Sequence, residues 1–327
     1  MPRSKRLGQT VLELRVARKT LEAEGIAGFE LVSASGGELP AFSSGAHLDV
    51  HLPGGLVRQY SLCNAPEERH RYCIAVQREA ASRGGSVAMH ALGEGDVLKV
   101  SEPRNHFPLA PAQGPALLVA GGIGITPILC MAEQLAAQGA PFTLHYCGRT
   151  RSRLAFVERL QAPRFGEGTR LHLDDGPDDQ RFDAAAVLQA CGADTHLYVC
   201  GPAGFMDHVL ASARALGWAE ERLHREYFSA PAMEPQAGNG SFELLLQRSG
   251  RVIPVAPAQT ALQALLDAGV EVASACEQDV CGTCLTTVID GEPDHRDLYL
   301  TDDERARNDC FTPCCSRAKG ARLVVDL

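Results

Sequence analysis

The sequence predicts a multidomain protein in which an antiparallel β domain is followed by a parallel α/β domain and a smaller, β-rich C-terminal domain. Three observations support this fold class. Short, partly alternating strand patterns fill the first third of the chain, and apolar strands alternate with helix-like segments in the middle. A loop dense in cysteine lies near the C-terminus. At 327 residues, the chain is longer than a single domain usually is.

The first domain is predicted over residues 1–109 as a small antiparallel barrel or sandwich. Its strand patterns are short and are separated by glycine-rich turns such as Gly36-Gly37 and Gly93-Glu94-Gly95. The predicted strands are Val11–Val16, His47–Leu52, Tyr72–Gln77 and Val97–Val100.

The second domain is predicted over residues 110–229. Ala116–Ala120 is entirely apolar, as in a buried parallel strand. A helix is predicted from Pro127 to Gln138 and a strand from Phe142 to Cys147. The alternation continues with Leu154–Leu160, Arg170–Leu173, Phe182–Gln189, Thr195–Cys200 and Phe205–Leu216. Such alternation predicts βαβ units and a parallel sheet.

The third domain is predicted over residues 241–327, after a linker at 230–240 that is rich in Pro, Gly and small residues. Strands are predicted at Phe242–Leu246 and Val252–Val255, a helix at Ala261–Ala268, and a closing strand at Leu323–Leu327. The cysteine-dense loop lies between that helix and the closing strand.

The composition excludes several classes of protein. Hydrophobic residues make up 45% of the chain, but no apolar run approaches the roughly 20 residues that span a bilayer. A net charge of −9 argues against a nucleic-acid partner. No signal core follows the basic N-terminus, so we expect a cytoplasmic protein without a membrane partner. Its twelve cysteines should then be mostly reduced, and a dense group of them favours a metal site over disulfides.

The cysteine loop carries the most specific signal. Cys276, Cys281 and Cys284 have the C-x₄-C-x₂-C spacing of plant-type [2Fe–2S] proteins, which use a fourth cysteine further along the chain. Thiolates are soft anionic ligands that suit this iron centre. Gly282 stands where a Cβ would obstruct the approach of the backbone to the cluster. Zinc or unrelated buried thiols are the alternatives, although zinc sites favour paired C-x₂-C units.

A flavin motif is predicted at Arg58-Gln59-Tyr60-Ser61-Leu62, which matches the R-x-Y-S-[LT] pattern of the ferredoxin-NADP⁺ reductase superfamily. Tyr60 can pack on the flavin ring, Ser61 can hydrogen-bond its redox-active edge, and Arg58 can pair with a phosphate. The alternative is an ordinary strand with an exposed arginine.

A second segment, Arg83-Gly84-Gly85-Ser86, precedes a helix-like stretch at Val87–Leu92. Its backbone N–H groups, the Ser86 hydroxyl and a helix N-terminus would together suit an anion. With Arg58, the site accommodates one phosphate group, which favours FMN over FAD. A simple Gly-Gly turn is the alternative.

A nicotinamide site is predicted from two further motifs. Gly121-Gly122-Ile123-Gly124-Ile125-Thr126-Pro127 joins the first apolar strand to the first helix, where a glycine turn lets the backbone approach a pyrophosphate. This G-G-x-G-x-T-P pattern and a later Cys200-Gly201-Pro202 resemble the signatures of the same superfamily, although Cys200 could equally be a buried thiol. Three arginines after the second strand could bind a 2′-phosphate or form a solvated edge: Arg149, Arg151 and Arg153.

The C-terminal segment resembles the phthalate dioxygenase reductase family. The resemblance rests on the cysteine loop, on Gly291–Asp297 and on Cys314-Cys315-Ser316-Arg317, which matches that family's closing C-x-S-R motif. It implies a plant-type ferredoxin domain of the β-grasp fold, with Cys314 as the fourth ligand. Cys315 takes the variable position of the motif, and Cys310 is a weaker candidate.

The resemblance extends over nearly the whole chain. It implies a flavin-binding β-barrel, a ferredoxin-reductase-like nicotinamide domain and FMN, NADH and [2Fe–2S] as cofactors. It also implies that Ala75 and Val76 lie at the flavin, that Glu226 lies near both cofactors, and that Phe228 covers one flavin face, although Phe228 could instead be a core aromatic.

The function implied is that of a reductase component that moves electrons from NADH through FMN and the cluster to a separate Rieske oxygenase acting on an aromatic acid. Flavin links the two-electron donor to the one-electron cluster, so no side chain is expected to act as a general acid or nucleophile. A reductase for another acceptor, such as a cytochrome P450, and a non-catalytic redox sensor are the alternatives.

Overall fold

The computed structural model describes residues 11–82, 84–110, 114–228, 239–272, 274, 282–297, 300 and 302–327. The chain divides into two compact units, Met1–Tyr227 and Phe228–Leu327. Among the described residues, no helix combines the length and apolar character needed to cross a lipid bilayer.

The first unit begins with an antiparallel barrel. Its sheet follows the strand order β4-β3-β6-β1-β2-β5, with β7 paired to β3. The two end strands meet where Leu62 bridges Ile74 and the Cys63 N–H donates to the Cys73 carbonyl at 2.9 Å, which closes the barrel. The elements are β1 (Val11–Ala23), β2 (Ile26–Ser33), β3 (Ala46–His51), β4 (Val57–Ser61), β5 (Tyr72–Gln77), α1 (Gly85–Ala91), β6 (Val97–Ser101) and β7 (Arg104–Asn105).

Three of these strands, β2, β4 and the two-residue β7, were not predicted as strands by pattern. β2 is mostly buried along its length, so its sequence lacks the alternation that marks a half-exposed strand. β4 is the segment that was interpreted as a flavin motif. β1 extends seven residues beyond the predicted Val16, because its second half pairs with β2 in a hairpin turning at Gly25, which has a φ of 75°.

The second half of this unit is a parallel α/β domain. Its five-stranded sheet has the order β10-β9-β8-β11-β12, and every pairing is parallel. The order reverses between β8 and β11, so a crevice is expected at the carboxyl ends of these two strands. The elements are β8 (Ala116–Gly121), α2 (Ile125–Gln138), β9 (Phe142–Gly148), α3 (Val157–Leu160), β10 (Thr169–Leu173), α4 (Ala184–Gln189), β11 (His196–Cys200), α5 (Ala203–Ala215) and β12 (Leu223–Glu226).

Helix α2 begins two residues earlier than predicted, at Ile125. Pro127 therefore lies in the first turn, where the missing N–H removes no helical hydrogen bond. The helix ends as predicted at Gln138, because Gly139 takes the left-handed conformation with φ 64°.

The second unit has a five-stranded sheet of order β14-β13-β19-β15-β17 and a small β16–β18 pair. Leu265 on α6 packs with Leu244, Val288 and Phe311 in its core. Its strands β13 and β14 have the predicted bounds, and Asn239 and Gly240 are the only residues of the predicted linker within the described ranges. The elements are β13 (Phe242–Leu246), β14 (Val252–Val255), α6 (Ala261–Asp267), β15 (Thr286–Asp290), β16 (Pro293–Asp294), α7 (Asp302–Arg307), β17 (Cys310–Phe311), β18 (Arg317–Ala318) and β19 (Arg322–Val325).

Candidate cofactor sites

The two glycine motifs of the nicotinamide domain meet at the carboxyl ends of β8 and β11. A Cβ on Gly124 would lie 2.3 Å from the Cys200 carbonyl oxygen, and one on Gly201 would lie 3.0 Å from the Gly121 Cα. Both contacts involve backbone, so they leave no space for a side chain. The glycines therefore let the first loop and the Cys200-Gly201-Pro202 segment approach each other.

A cleft of about 540 Å³ opens beside this junction. Gly121, Gly122 and Pro202 line it on the α/β side, while the β1–β2 turn and the residues after β5 line it on the barrel side. Three other predicted nicotinamide residues do not line the cleft. Cys200 is fully buried, the buried Thr126 donates its hydroxyl to the Ile123 carbonyl at 3.1 Å, and Pro127 is buried within α2.

The flavin motif and the end of the α/β sheet come together at one hydrogen bond. The Ser61 hydroxyl on β4 donates to Glu226 Oε2 at 3.1 Å. Glu226 is the register partner of Cys200 in the parallel sheet, so this contact lies at the crevice end of the strands. Burial raises the pKa of Glu226 to about 8, and the Ser61 hydrogen bond offsets part of that rise. The carboxyl is therefore mostly protonated at neutral pH.

Arg58 lies against the predicted phosphate turn. A Cβ on Gly85 would approach Arg58 Cγ to 2.6 Å and Nε to 3.0 Å, so the arginine side chain packs on the start of α1. Gly84 has a φ of 92°, which favours glycine. The Ser86 hydroxyl accepts from the Glu79 N–H at 3.1 Å and donates to Ser82 at 3.0 Å.

The remaining predicted flavin residues take different positions. Tyr60 is half-buried on β4, and burial raises its pKa to about 12, which keeps the phenol neutral. Gln59 donates to Asp49 Oδ1 at 2.9 Å. Val76 packs in the barrel core, and Ala75 packs near Ala155 of the α/β domain. The Phe228 side chain is 39% exposed, and Arg83 lies outside the described residues.

The second unit brings two predicted cluster ligands together. Cys284, just before β15, and Cys314, just before β18, are buried, and their sulfurs are 3.4 Å apart. Two thiolates on one tetrahedral metal, with bonds of about 2.3 Å, would lie at a similar separation. Leu262 of α6 packs against both cysteines.

Cys276 and Cys281 lie outside the described residues. Gly282 has a φ of 63°, a conformation that favours glycine.

The neighbouring thiols are directed differently. Cys315 Sγ lies 3.1 Å from the Thr312 hydroxyl and 3.6 Å from the Ser316 hydroxyl. Cys310 is half-buried on β17, opposite Thr287, and burial raises its pKa to about 11. Of these three cysteines, Cys314 is the one placed to bind the same metal ion as Cys284.

Sequence reasoning missed several residues of the cleft. Glu24, Arg78, Asp174 and Phe205 line it together with two of the three predicted arginines, Arg149 and Arg153. Asp174 could have been found from the sequence, because it directly follows the third strand of a parallel sheet and therefore lies at the ligand-binding edge. Glu24, which lies 3.9 Å from Arg153, lies in a hairpin that the patterns did not predict.

Comparison with known proteins accounts for this arrangement. Residues 244–319 match the model of the 2Fe-2S iron-sulfur cluster binding domain, and residues 118–210 match that of the oxidoreductase NAD-binding domain. A vanillate O-demethylase oxidoreductase from Pseudomonas sp. (strain HR199 / DSM 7063) is 55% identical, over 97% of this chain and 100% of that protein. The phthalate dioxygenase reductase of Burkholderia cepacia is 41% identical, over 97% of each chain.

Two solved structures are also similar to this chain. A phthalate dioxygenase reductase, described as a modular structure for electron transfer from pyridine nucleotides to [2Fe-2S], superposes with a TM-score of 0.73 at 41% identity, over 97% of this chain and 98% of the other. An intact type IV self-sufficient cytochrome P450 monooxygenase matches with a TM-score of 0.86 at 38% identity, but this chain spans only 43% of it.

The fold and the sites thus define an electron-transfer oxidoreductase that uses a nicotinamide nucleotide, a flavin and a [2Fe–2S] cluster. Within that class, the chain belongs to the phthalate dioxygenase reductase family, the reductase components of oxygenase systems. This membership confirms the predicted fold class and the predicted electron route from the nicotinamide nucleotide through the flavin to the cluster.

Proposed function

We propose that this chain accepts a hydride from NADH, uses FMN bound at the barrel, and delivers single electrons from its [2Fe–2S] cluster to a separate Rieske-type oxygenase that acts on an aromatic acid. The observation that carries this proposal is the 3.1 Å contact between Ser61 and Glu226. It joins the flavin motif to the crevice end of the nicotinamide domain, where hydride transfer would need the two cofactors to meet.

FMN fits the barrel site better than FAD does. Arg58 packs on the Gly84-Gly85 turn, where a single guanidinium and the first N–H groups of α1 would suit one phosphate. When bound, FMN would convert two-electron hydride transfer into one-electron steps. Glu226 would hold a proton at neutral pH beside Ser61, at the redox-active edge of the flavin.

NADH is favoured over NADPH by the charges in the cleft. Asp174 lines it at the end of β10, where a carboxylate can accept hydrogen bonds from a ribose hydroxyl and would repel a 2′-phosphate. Arg153 is near Glu24, which reduces its attraction for a phosphate. Arg149 also lines the cleft and can neutralise the pyrophosphate.

The oxygenase partner is supported by the relatives, whose names identify demethylase and dioxygenase systems. A second candidate acceptor is a cytochrome P450, because the self-sufficient P450 contains a region similar to this whole chain. No disulfide joins the cysteines of the described ranges, which suits work in the reducing cytoplasm.

Rapid-mixing kinetics with purified components would test the proposal. We expect acid-released FMN at one per chain, faster flavin reduction by NADH than by NADPH, and reduction of a Rieske oxygenase faster than reduction of a P450. Release of FAD would contradict the single-phosphate site, and a preference for NADPH would contradict the role of Asp174. Faster electron transfer to the P450 would identify the second candidate as the acceptor.

A further inference from the structure

The buried side chain of Arg317 holds the turn that contains Cys314 in place through three hydrogen bonds to backbone carbonyls. This guanidinium, only 5% exposed, donates to the Gln259 carbonyl at 2.8 Å, to the Gly240 carbonyl at 3.0 Å and to the Ala256 carbonyl at 3.1 Å. It also lies 5.1 Å from the centroid of the Phe242 ring. The planar fork of arginine can reach several acceptors at once, which a lysine ammonium does less well.

The three carbonyls belong to separate parts of the unit. Gly240 precedes β13, whereas Ala256 and Gln259 lie between β14 and α6. The same connection leads to Leu262, whose N–H donates to the Pro313 carbonyl at 2.7 Å and whose side chain packs against Cys314. Arg317 therefore connects the Cys314 turn to the segment between β14 and α6, and Leu262 at the start of α6 contacts the same turn.

The charge of Arg317 has no carboxylate partner in an ion pair within the described part of the chain. Asp294, its register partner, attracts Arg317 but forms its ion pair with Arg296 at 2.6 Å, so the two guanidinium groups share one carboxylate. Burying a cation without an ion-pair partner is unfavourable. Cys314 precedes Arg317 by three residues, so a cluster with four thiolate ligands held there would place a negative charge on the same turn, and that charge would increase on reduction.

We propose that Arg317 is a positioning residue of the iron–sulfur centre, which holds the Cys314 turn in place and whose buried charge favours the reduced cluster. The inference rests on the proposed function, because it requires the cluster. Net charge and the environment of the sulfurs are known determinants of cluster potential. Removing the guanidinium should therefore make the reduction potential more negative and should loosen the cluster.

Full-length holoprotein carrying Arg317→Lys or Arg317→Met would test this role. Arg322→Met is the matched control, because Arg322 is exposed and pairs with Glu243 at 2.6 Å in the same unit. Iron and sulfide content, cluster release to a chelator, and the potential from a redox titration followed by electron paramagnetic resonance would be measured. FMN content and NADH–ferricyanide activity would report on the first unit.

We expect the Met variant to release its cluster faster and to have a more negative potential. The Lys variant should also release the cluster faster, but its retained charge should keep the potential close to that of the wild type. A Lys variant with wild-type cluster release would overturn the inference even if the Met variant does not fold, and so would a folded Met variant with wild-type potential. Absence of iron from the wild type would instead contradict the cluster, and with it the proposed function.

Discussion

Glu226 is a carboxyl whose environment opposes its ionisation. It lies at the end of β12, it accepts a hydrogen bond from Ser61, and burial raises its pKa from 4.5 to about 8. The resemblance predicted that it would lie near the cofactors, but the sequence alone could not show its protonation state. That state depends on packing between β4 and β12, because the two side chains in contact, Ser61 and Glu226, are 165 residues apart in the sequence.

The first prediction concerns this pKa. Because the folded pKa is above the unfolded one, the folded state binds the proton more tightly, and the resulting stability is lost as pH rises from about 4.5 to about 8. The glutamine of Glu226→Gln cannot ionise, so the stability of this variant should lack this pH-dependent contribution. Thermal unfolding between about pH 5 and pH 9 should show the wild type losing stability relative to the variant. The exposed Glu221→Gln is the control, and parallel curves for Glu226→Gln and wild type would exclude a raised pKa.

The second prediction concerns the adjacent thiols. Cys314 Sγ lies 3.4 Å from Cys284 Sγ, whereas Cys315 Sγ lies against the Thr312 hydroxyl. Cys314→Ser should lose or destabilise the cluster, because a hydroxyl replaces a thiolate poorly. Cys315→Val should keep it, because a half-buried cysteine behaves as a small hydrophobic residue. Iron content and the signal of the reduced cluster would be measured, with FMN content as an internal control. A signal lost in Cys315→Val and kept in Cys314→Ser would reverse the assignment.

At the scale of elements, the sequence predicted best those strands whose burial is regular, alternating in β13 and β14 and complete in β8. β5, β13 and β14 have the predicted bounds, and β8, which is buried on both faces, differs by one residue. β2 and the second half of β1 were missed because their pairing comes from a long hairpin rather than from local alternation. The predicted segment Leu154–Leu160 contains only the single turn α3, because periodicity cannot distinguish a short helix from irregular chain that packs against the sheet.

The third prediction tests the junction between the β8–α2 loop and the end of β11. Gly124→Ala would place a Cβ 2.3 Å from the Cys200 carbonyl oxygen, and the backbone there can move little. We expect a loss of stability of about 1–3 kcal/mol, as for an overpacked core, together with weaker NADH binding. Gly204→Ala in α5 is the matched control, because a Cβ there would meet nothing within 4 Å. Unfolding midpoints and nucleotide titrations would be compared, and equal values for both variants would show that the close approach is not required.

At the scale of the whole molecule, the chain combines two compact units, Met1–Tyr227 and Phe228–Leu327. The first contains the flavin motif, the nicotinamide crevice and the Ser61–Glu226 contact, whereas the second contains Cys284 and Cys314. Composition predicts a linker at 230–240, since Pro, Gly and small residues cannot build a core, and this stays a prediction because only Asn239 and Gly240 of that segment lie within the described ranges. It could not predict that the barrel and the α/β domain would form one unit, because their contact depends on side chains distant in sequence, such as Ala75 and Ala155.

The last prediction is that the two halves of the electron route can be separated by cutting the chain within residues 231–240. The N-terminal fragment should remain soluble, bind FMN and reduce ferricyanide with NADH, because the predicted flavin and nicotinamide residues through Glu226 all precede the cut. It should no longer reduce an acceptor that depends on the cluster, since both described cluster cysteines lie in the second unit. A full-length chain treated identically but not cleaved is the control. A fragment that fails to fold, or that cannot oxidise NADH, would show that the first unit needs the second and that the predicted linker is part of a domain.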